Sequence, residues 1–401
     1  MAGTESMSDV PRVDDQAPPE NGGTSALVLS GGGARAAYQV GVLAGIAERA
    51  GDISFPIVTG VSAGSISAAH LASYEGSLKR GVALLEHMWL RMRVDHVFCS
   101  GVASILWGTV KSLWMMAVGG RAPSLGVRGI LDTRPLRRSL SRVVSTDGID
   151  ANLGSGRLRA VALSTTSFAT GRTVTFVHGA DGVPTWRRAG RVAIRTRISV
   201  DHVMASCALP LIFPAIPVGD AYFGDGSIRQ AAPLAPAIHL GAGRILAIAV
   251  RNKRNLEEEA QSQIVGYPPP AQIVGMLFNA VFVDALDHDC ERLERTNRTI
   301  AALPEGSRHP DGLRAIEHVV LRPSRNLGAL SADLVHHLPR ALRLVVLGMG
   351  ASKLRSPDLL SYLLFEKPYI ERLIELGRQD TLSQWDKIAP LLEPERAGSK
   401  R

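Results

Sequence analysis

The sequence predicts an α/β fold with a mostly parallel central sheet, and three observations carry that expectation. Apolar runs of strand length alternate with helical ones: residues 26–30, 36–50, 55–58 and 63–73. Such a βαβα order is the signature of parallel strands covered by helices. Each of the first two strands also ends in a glycine-rich turn that opens a helix, Gly31-Gly32-Gly33-Ala34-Arg35 and Gly60-Val61-Ser62-Ala63-Gly64. With 401 residues, the chain can bury one large α/β domain or two smaller ones.

Taken in order, residues 1–24 are polar and read as a disordered leader, and a catalytic domain is expected over 25–330. Residues 81–142 break the rhythm and read as a helical cap insertion. There Leu84, Leu85, Met88, Trp89 and Met92 recur at helical spacing, and an apolar stretch over 102–118 carries Trp107 and Trp114. That stretch is short for a membrane span. It reads either as a cap that dips into a lipid interface or as a buried helix pair. Arg134, Arg137, Arg138 and Arg142 form a basic run, most simply a solvated face.

Residues 158–166 and 173–178 alternate as strands around the turn Thr170-Gly171-Arg172. The basic segment 187–197 faces either phosphates or water. A short helix and a proline-rich bend fill 203–217, and Ala221-Tyr222-Phe223-Gly224-Asp225-Gly226-Ser227 turns tightly. A buried strand over 245–250, a polar loop, a long helix over 272–303 and a late strand over 316–321 complete the sheet domain. A C-terminal helical extension is expected over 331–401. Ser356-Pro357-Asp358 starts one of its helices, and Gly377 stops another that begins at Pro368. Leu359, Leu360, Leu363, Leu364 and Phe365 are assigned to the core.

The net charge of +8 favours anionic partners. No zinc-finger or RNA-binding signature accompanies it, which sets nucleic acid aside and leaves acidic substrates and anionic lipid. Cys99, Cys207 and Cys290 are too few and too scattered for a disulfide framework or a metal site. They fit a reducing compartment, and no basic-then-apolar run marks a signal peptide. A cytoplasmic protein with peripheral membrane contact is the expectation.

The chemistry centres on Ser62. G-x-S-x-G at a strand-to-helix turn is the pattern of a nucleophile elbow, with Gly60 and Gly64 removing side-chain bulk around a strained serine. The triple-glycine turn supplies successive N–H groups at a helix start, a nest suited to an oxyanion, and Arg35 adds positive charge. A serine needs a base. His70 lies two helical turns beyond Ser62, out of reach. His202, beside Asp201, leads a scattered set of histidines. Asp225, between Gly224 and Gly226 at a strand end, is the better candidate. Two rivals stay open: a Ser-His-Asp hydrolase using His288 or His318, and dinucleotide binding through Gly31-x-Gly33-x-x-Ala36 with Asp52 as the acid.

These residues together resemble the patatin-like phospholipase family. The resemblance rests on the G-G-G-x-[RK] loop at Gly31 to Arg35, the elbow around Ser62, and the D-G-[GA] turn at Asp225-Gly226-Ser227. An A-S-x-A-x-P-x-x-F-P segment at Ala205 to Pro214 adds to it. Ser227 departs from the pattern, standing where Gly or Ala is usual. The resemblance spans roughly residues 26–324 and implies a patatin-like three-layer sandwich with a helical cap and C-terminal helices. It also implies a Ser62–Asp225 dyad without histidine or metal, and no cofactor. The oxyanion hole would come from Gly31, Gly32, Gly33, Ala34 and Arg35, with Gly226 shaping the aspartate turn. The implied substrate is a glycerolipid or phospholipid ester, met at an anionic membrane through Trp107, Trp114 and basic patches.

Overall fold

The computed structural model describes residues 23–51, 53–99, 101, 129, 131–210, 212–252, 269–282, 284–304, 309, 312–348 and 357–392. The first half of the chain runs β1 (Ser25–Leu29), α1 (Ala37–Arg49), β2 (Ile57–Val61), α2 (Ala63–Ser73), α3 (Leu78–Leu90), α4 (Val94–Val97), α5 (Arg134–Leu140) and α6 (Thr146–Gly154). It continues through β3 (Ala160–Ser167), β4 (Thr173–Gly179), β5 (Arg187–Arg188), β6 (Arg191–Arg195), α7 (Val200–Ser206), β7 (Ile216–Val218) and β8 (Ala221–Asp225). Then come α8 (Ala235–His239), β9 (Arg244–Ile248), α9 (Pro270–Phe282), α10 (Asp284–Ala301) and β10 (Glu317–Leu321). Helices α11 (Arg340–Gly348), α12 (Pro357–Leu363), α13 (Lys367–Ser383) and α14 (Trp385–Leu392) close it.

The strands form one sheet in the order β10-β9-β1-β2-β3-β4-β6-β5. From β10 to β3 all pairs are parallel; β4, β8 and β7 add antiparallel contacts. Alternation along β1 explains the three layers: Leu27 and Leu29 enter one core, Ala26 and Val28 the other. The first core gathers α1, α2, α3 and α13. The second takes Leu286, Cys290 and Leu293 from α10.

The basic segment over 187–197 makes the short β5–β6 pair at the sheet edge. Helix α3 turns Val82, Leu85 and Trp89 into the first core against α1. The apolar stretch over 102–118, with Trp107 and Trp114, lies outside the described residues, as do Asp52 and Ser356. By length and composition, the stretch Pro270–Ala301 is apolar enough to cross a membrane, with 21% of its best window buried.

One expectation is corrected. Gly377 does not stop a helix; α13 runs on to Ser383. A Cβ at Gly377 would overlap the backbone of Tyr38 in α1, and one at Gly41 would overlap the backbone of Ile374 in α13. The glycine therefore permits two helices to touch backbone to backbone. Tyr38, Ile46, Tyr369, Ile370 and Leu373 are buried in the same core. Each large side chain so buried contributes about 1.5–3 kcal/mol, which binds the C-terminal helices to the sheet domain.

Candidate active site

Ser62 follows β2 and caps α2 with φ 52° and ψ −131°, and no other described non-glycine residue has positive φ. Such a backbone costs about 1–3 kcal/mol and persists only where its surroundings hold it. They do. The Ser62 N–H donates to Ser206 Oγ at 3.0 Å, and Ser206 Oγ donates in turn to the Ser164 carbonyl at 2.7 Å. The Ser62 carbonyl accepts from the Ser65 N–H (2.9 Å), Ser65 Oγ (2.6 Å) and Cys207 Sγ (3.1 Å). A Cβ on Gly64 would lie 2.6 Å from the Ser30 carbonyl oxygen, so the elbow packs directly on the end of β1.

Strand pairing brings Asp225 to the same place. Thr165 and Thr166 of β3 pair with β4 along one edge. Strand β8 must therefore use the other edge, which β2 occupies up to Ser164. Val61 faces Ser164 and Asp225 faces Thr165, so β2 and β8 meet end to end, about one residue step (~3.3 Å) apart along β3. Asp225 is fully buried. Its N–H donates to the Ala208 carbonyl at 2.8 Å, and its Oδ1 accepts from the Ser227 N–H at 2.9 Å.

Among the described residues, Oδ2 has no hydrogen-bond partner. Burial pushes the Asp225 carboxyl up to about 6, with Ser62 and Ser227 working against the rise.

Register places Leu29 opposite Gly60, so the glycine turn lies beside the elbow. The Arg35 N–H closes onto the Gly32 carbonyl at 3.1 Å. No bond among the described residues takes the N–H groups of Gly32, Gly33 or Ala34. Gly33 has φ 54°, and a Cβ there would overlap the Tyr362 carbonyl.

Arg35 reaches beyond the loop. Its guanidinium, in a residue only 2% exposed, is engaged by α9 and α12. Nε donates to Ser361 Oγ (2.7 Å), Nη2 pairs with Asp358 Oδ1 (2.7 Å), and Nη1 donates to Asn279 Oδ1 (3.2 Å) and the Tyr362 hydroxyl (3.3 Å). The guanidinium also lies 4.2 Å from the Tyr362 ring centroid. Burial opposes its charge, but Tyr362 and Asp358 more than offset that, and the net shift is upward.

Four histidines are engaged elsewhere, and His288 lies on α10. His70 bonds the carbonyls of Val143 and Gly81, and His178 meets Asp150. His202 Nδ1 accepts from the Ser199 N–H, capping α7, and burial pushes its pKa down to about 4. His318 lies 3.9 Å from Glu294, on the far strand β10. No motif in the sequence marks Ser206, Asn279, Ser361 or Tyr362 as a support of the site. The available signal was polar residues inside otherwise apolar segments.

A family model described as patatin-like phospholipase matches residues 27–238. No curated protein sequence matches the chain. Similar solved structures include human GIVD cytosolic phospholipase A2, at 12% identity and TM-score 0.43, covering 94% of this chain and 61% of that one. VipD from Legionella pneumophila is 12% identical with TM-score 0.30, covering 85% of this chain and 66% of that one. The full-length SpcU–ExoU complex of the type III secretion system of Pseudomonas aeruginosa aligns at 15% identity and TM-score 0.27, covering 96% and 87%. The chain thus spans about three fifths to two thirds of the first two. These likenesses are loose; the family match covers more than half of the chain. The glycine loop, the elbow and the Asp225 turn all fall inside it, and the chain belongs to the patatin-like phospholipase family.

Proposed function

We propose that the chain is a lipid acyl hydrolase that cleaves carboxylic esters of glycerolipids, with Ser62 as nucleophile and Asp225 as its base. Family membership supports the coarse activity. The observation that carries the finer reading is that Val61, just before the strained Ser62, and the buried Asp225 stand opposite adjacent residues of β3.

In the first step Ser62 Oγ attacks the ester carbonyl while its proton passes to Asp225. The oxyanion that forms is held by the N–H groups of Gly32, Gly33 and Ala34 and by the start of α2. Collapse expels the alcohol, which takes the proton back from Asp225 and leaves an acyl group on Ser62. Water then attacks, Asp225 receives its proton, and the fatty acid leaves with Ser62 regenerated. A weak base suffices because each preorganised oxyanion donor is worth about 2.7–4 kcal/mol. A carboxyl raised to about 6 is better matched to neutral pH than an ordinary one.

Peripheral association with anionic lipid belongs to the same reading and is supported by the net charge of +8. If Trp107 and Trp114 take part, making both polar weakens vesicle binding; unchanged binding removes them from the account.

The test is fatty-acid release from phospholipid vesicles. Ser62→Ala and Asp225→Asn should each abolish it, whereas alanine at His202, His288 or His318 should not. Loss at one of those histidines, with Asp225 dispensable, would replace the dyad by a Ser-His-Asp mechanism.

A further inference from the structure

Beyond the Asp225 turn lies a cavity of about 610 Å³ whose walls include Arg191, Arg229, Arg292, Ser227 and Gln230. We propose that it is an anion subsite that takes the phosphate of a phospholipid headgroup while the acyl ester lies at Ser62. The proposal rests on the hydrolase reading above and names its substrate class.

Three arginines line the cavity and, among the described residues, no acidic side chain does. Arg191 Nη1 is buried without a hydrogen-bond partner. A buried charged donor left unsatisfied is among the more costly defects a fold can carry. Asp289 acts on Arg191 electrostatically but forms no hydrogen bond with it among the described residues, and its Oδ2 accepts from the Leu234 N–H at 2.9 Å. Burial lowers the Arg191 pKa; Arg292 and Arg188 lower it further, against Asp289. Each feature is relieved by a bound anion, and phosphate oxygens match the paired N–H groups of a guanidinium.

Ser227 ties the cavity to the chemistry. Its N–H bonds Asp225 Oδ1 at 2.9 Å, while its hydroxyl is buried without a partner of full geometry, close enough to favour the Asp225 carboxylate. This is the residue that departs from the family pattern, where Gly or Ala offers no hydroxyl. A narrow cleft at the ends of β1 and β2, lined by Ser30, Gly60, Val61 and Ser164, shares Ser227 and Gln230 with the cavity. The phosphate of a phospholipid lies only a few bonds from its ester carbonyls, and Ser227, on the cavity wall, follows Asp225 by two residues.

The experiment uses the full chain and two soluble esters below their micelle concentrations, dihexanoyl phosphatidylglycerol and dihexanoylglycerol. These share acyl chains and differ in the phosphate. The readout is the ratio of their kcat/KM values. The wild type should favour the phospholipid. Arg191→Gln and Arg292→Gln should each lower the ratio by about tenfold, the value of one charge-assisted hydrogen bond, mainly through the phospholipid KM. Ser227→Ala should lower it by less. Ratios unchanged in all three variants overturn the proposal.

Inorganic phosphate, at matched ionic strength, gives a second arm on the wild type alone. It should inhibit dihexanoyl phosphatidylglycerol cleavage competitively and saturably, beyond the effect of sodium chloride, and inhibit dihexanoylglycerol cleavage less. Phosphate inhibition with no preference for the phospholipid overturns the headgroup assignment in favour of a free-phosphate site. No cleavage of either ester, with saturable phosphate binding still seen by melting temperature and lost in Arg191→Gln, defeats the hydrolase reading and supports the anion site.

Discussion

The elbow and the glycine turn sit side by side at the ends of neighbouring strands, yet they are braced from different parts of the chain. The elbow is held by Ser206 and Cys207, inside the stretch that matches the family. The turn is held through Arg35 by Asn279, Asp358, Ser361 and Tyr362, all beyond that stretch. One part of the machinery carries its own support; the other borrows it from α9 and α12. The borrowed half is the one a truncation or a C-terminal partner could disturb.

The sharpest way to break this contrast is Arg35→Met. It leaves the part-buried Asp358 with Asn279 as its remaining side-chain partner, and Asn279, Ser361 and Tyr362 with one partner fewer. Breaking a fully buried pair from one side costs about 3–5 kcal/mol; with Asp358 part-exposed, urea unfolding should register the lower part of that range. A drop in kcat should accompany it as the turn loosens. Arg35→Met with Asp358→Leu should cost less than Arg35→Met alone, since both charges then leave. Equal losses would show that the ion pair is not what holds the turn.

Next in size is a pH effect on stability at Asp225. Its folded carboxyl titrates at about 6 against an ordinary 3.8. Between those values the folded protein keeps a proton that the unfolded chain releases, so this group's contribution to stability falls as pH rises. The cost levels off above about pH 6 at about 3 kcal/mol. Asp225→Asn does not titrate. Its stability relative to wild type should therefore increase from pH 4 to pH 6 and stay level above that, as followed by denaturant unfolding across pH.

Gly64→Ala and Gly33→Ala add a Cβ against the backbones of β1 and α12, respectively. Overpacking of this kind costs about 1–3 kcal/mol. Gly33→Ala also imposes a left-handed backbone on alanine. Both should lose activity. The smallest expected change is Ser206→Ala, which removes the acceptor for the Ser62 N–H and costs about 1–3 kcal/mol at the upper limit. A normal melting temperature together with reduced kcat would mark Ser206 as a positioning residue. Both parameters intact would show that the elbow needs no brace from α7.

The contrast also explains what could be read in advance. The first strands, the elbow, the glycine turn and the Asp225 turn were legible because each is a short segment with a local steric or electrostatic reason. Their convergence was expected from family resemblance, but its cause, two strands meeting end to end on β3, is a fact of pairing that no local pattern encodes. The partners of Arg35 lie 244 to 327 residues away. Nothing in Asn279, Ser361 or Tyr362 alone marks them as partners of a glycine turn. Gly377 shows the reverse error. Read locally, a glycine after a helical run is a terminator; in place, it is where α13 touches α1.

The central claim is that Asp225 activates Ser62, and the rate of fluorophosphonate labelling at Ser62 as a function of pH tests it most directly. The wild-type rate should rise through about pH 6, as the Asp225 carboxyl ionises. In Asp225→Asn it should be lower by about 10²–10⁴-fold, the usual worth of a general base, and should show no step there. A wild-type rate indifferent to pH between 4 and 8, or an Asp225→Asn variant that labels as fast as wild type, would contradict the account.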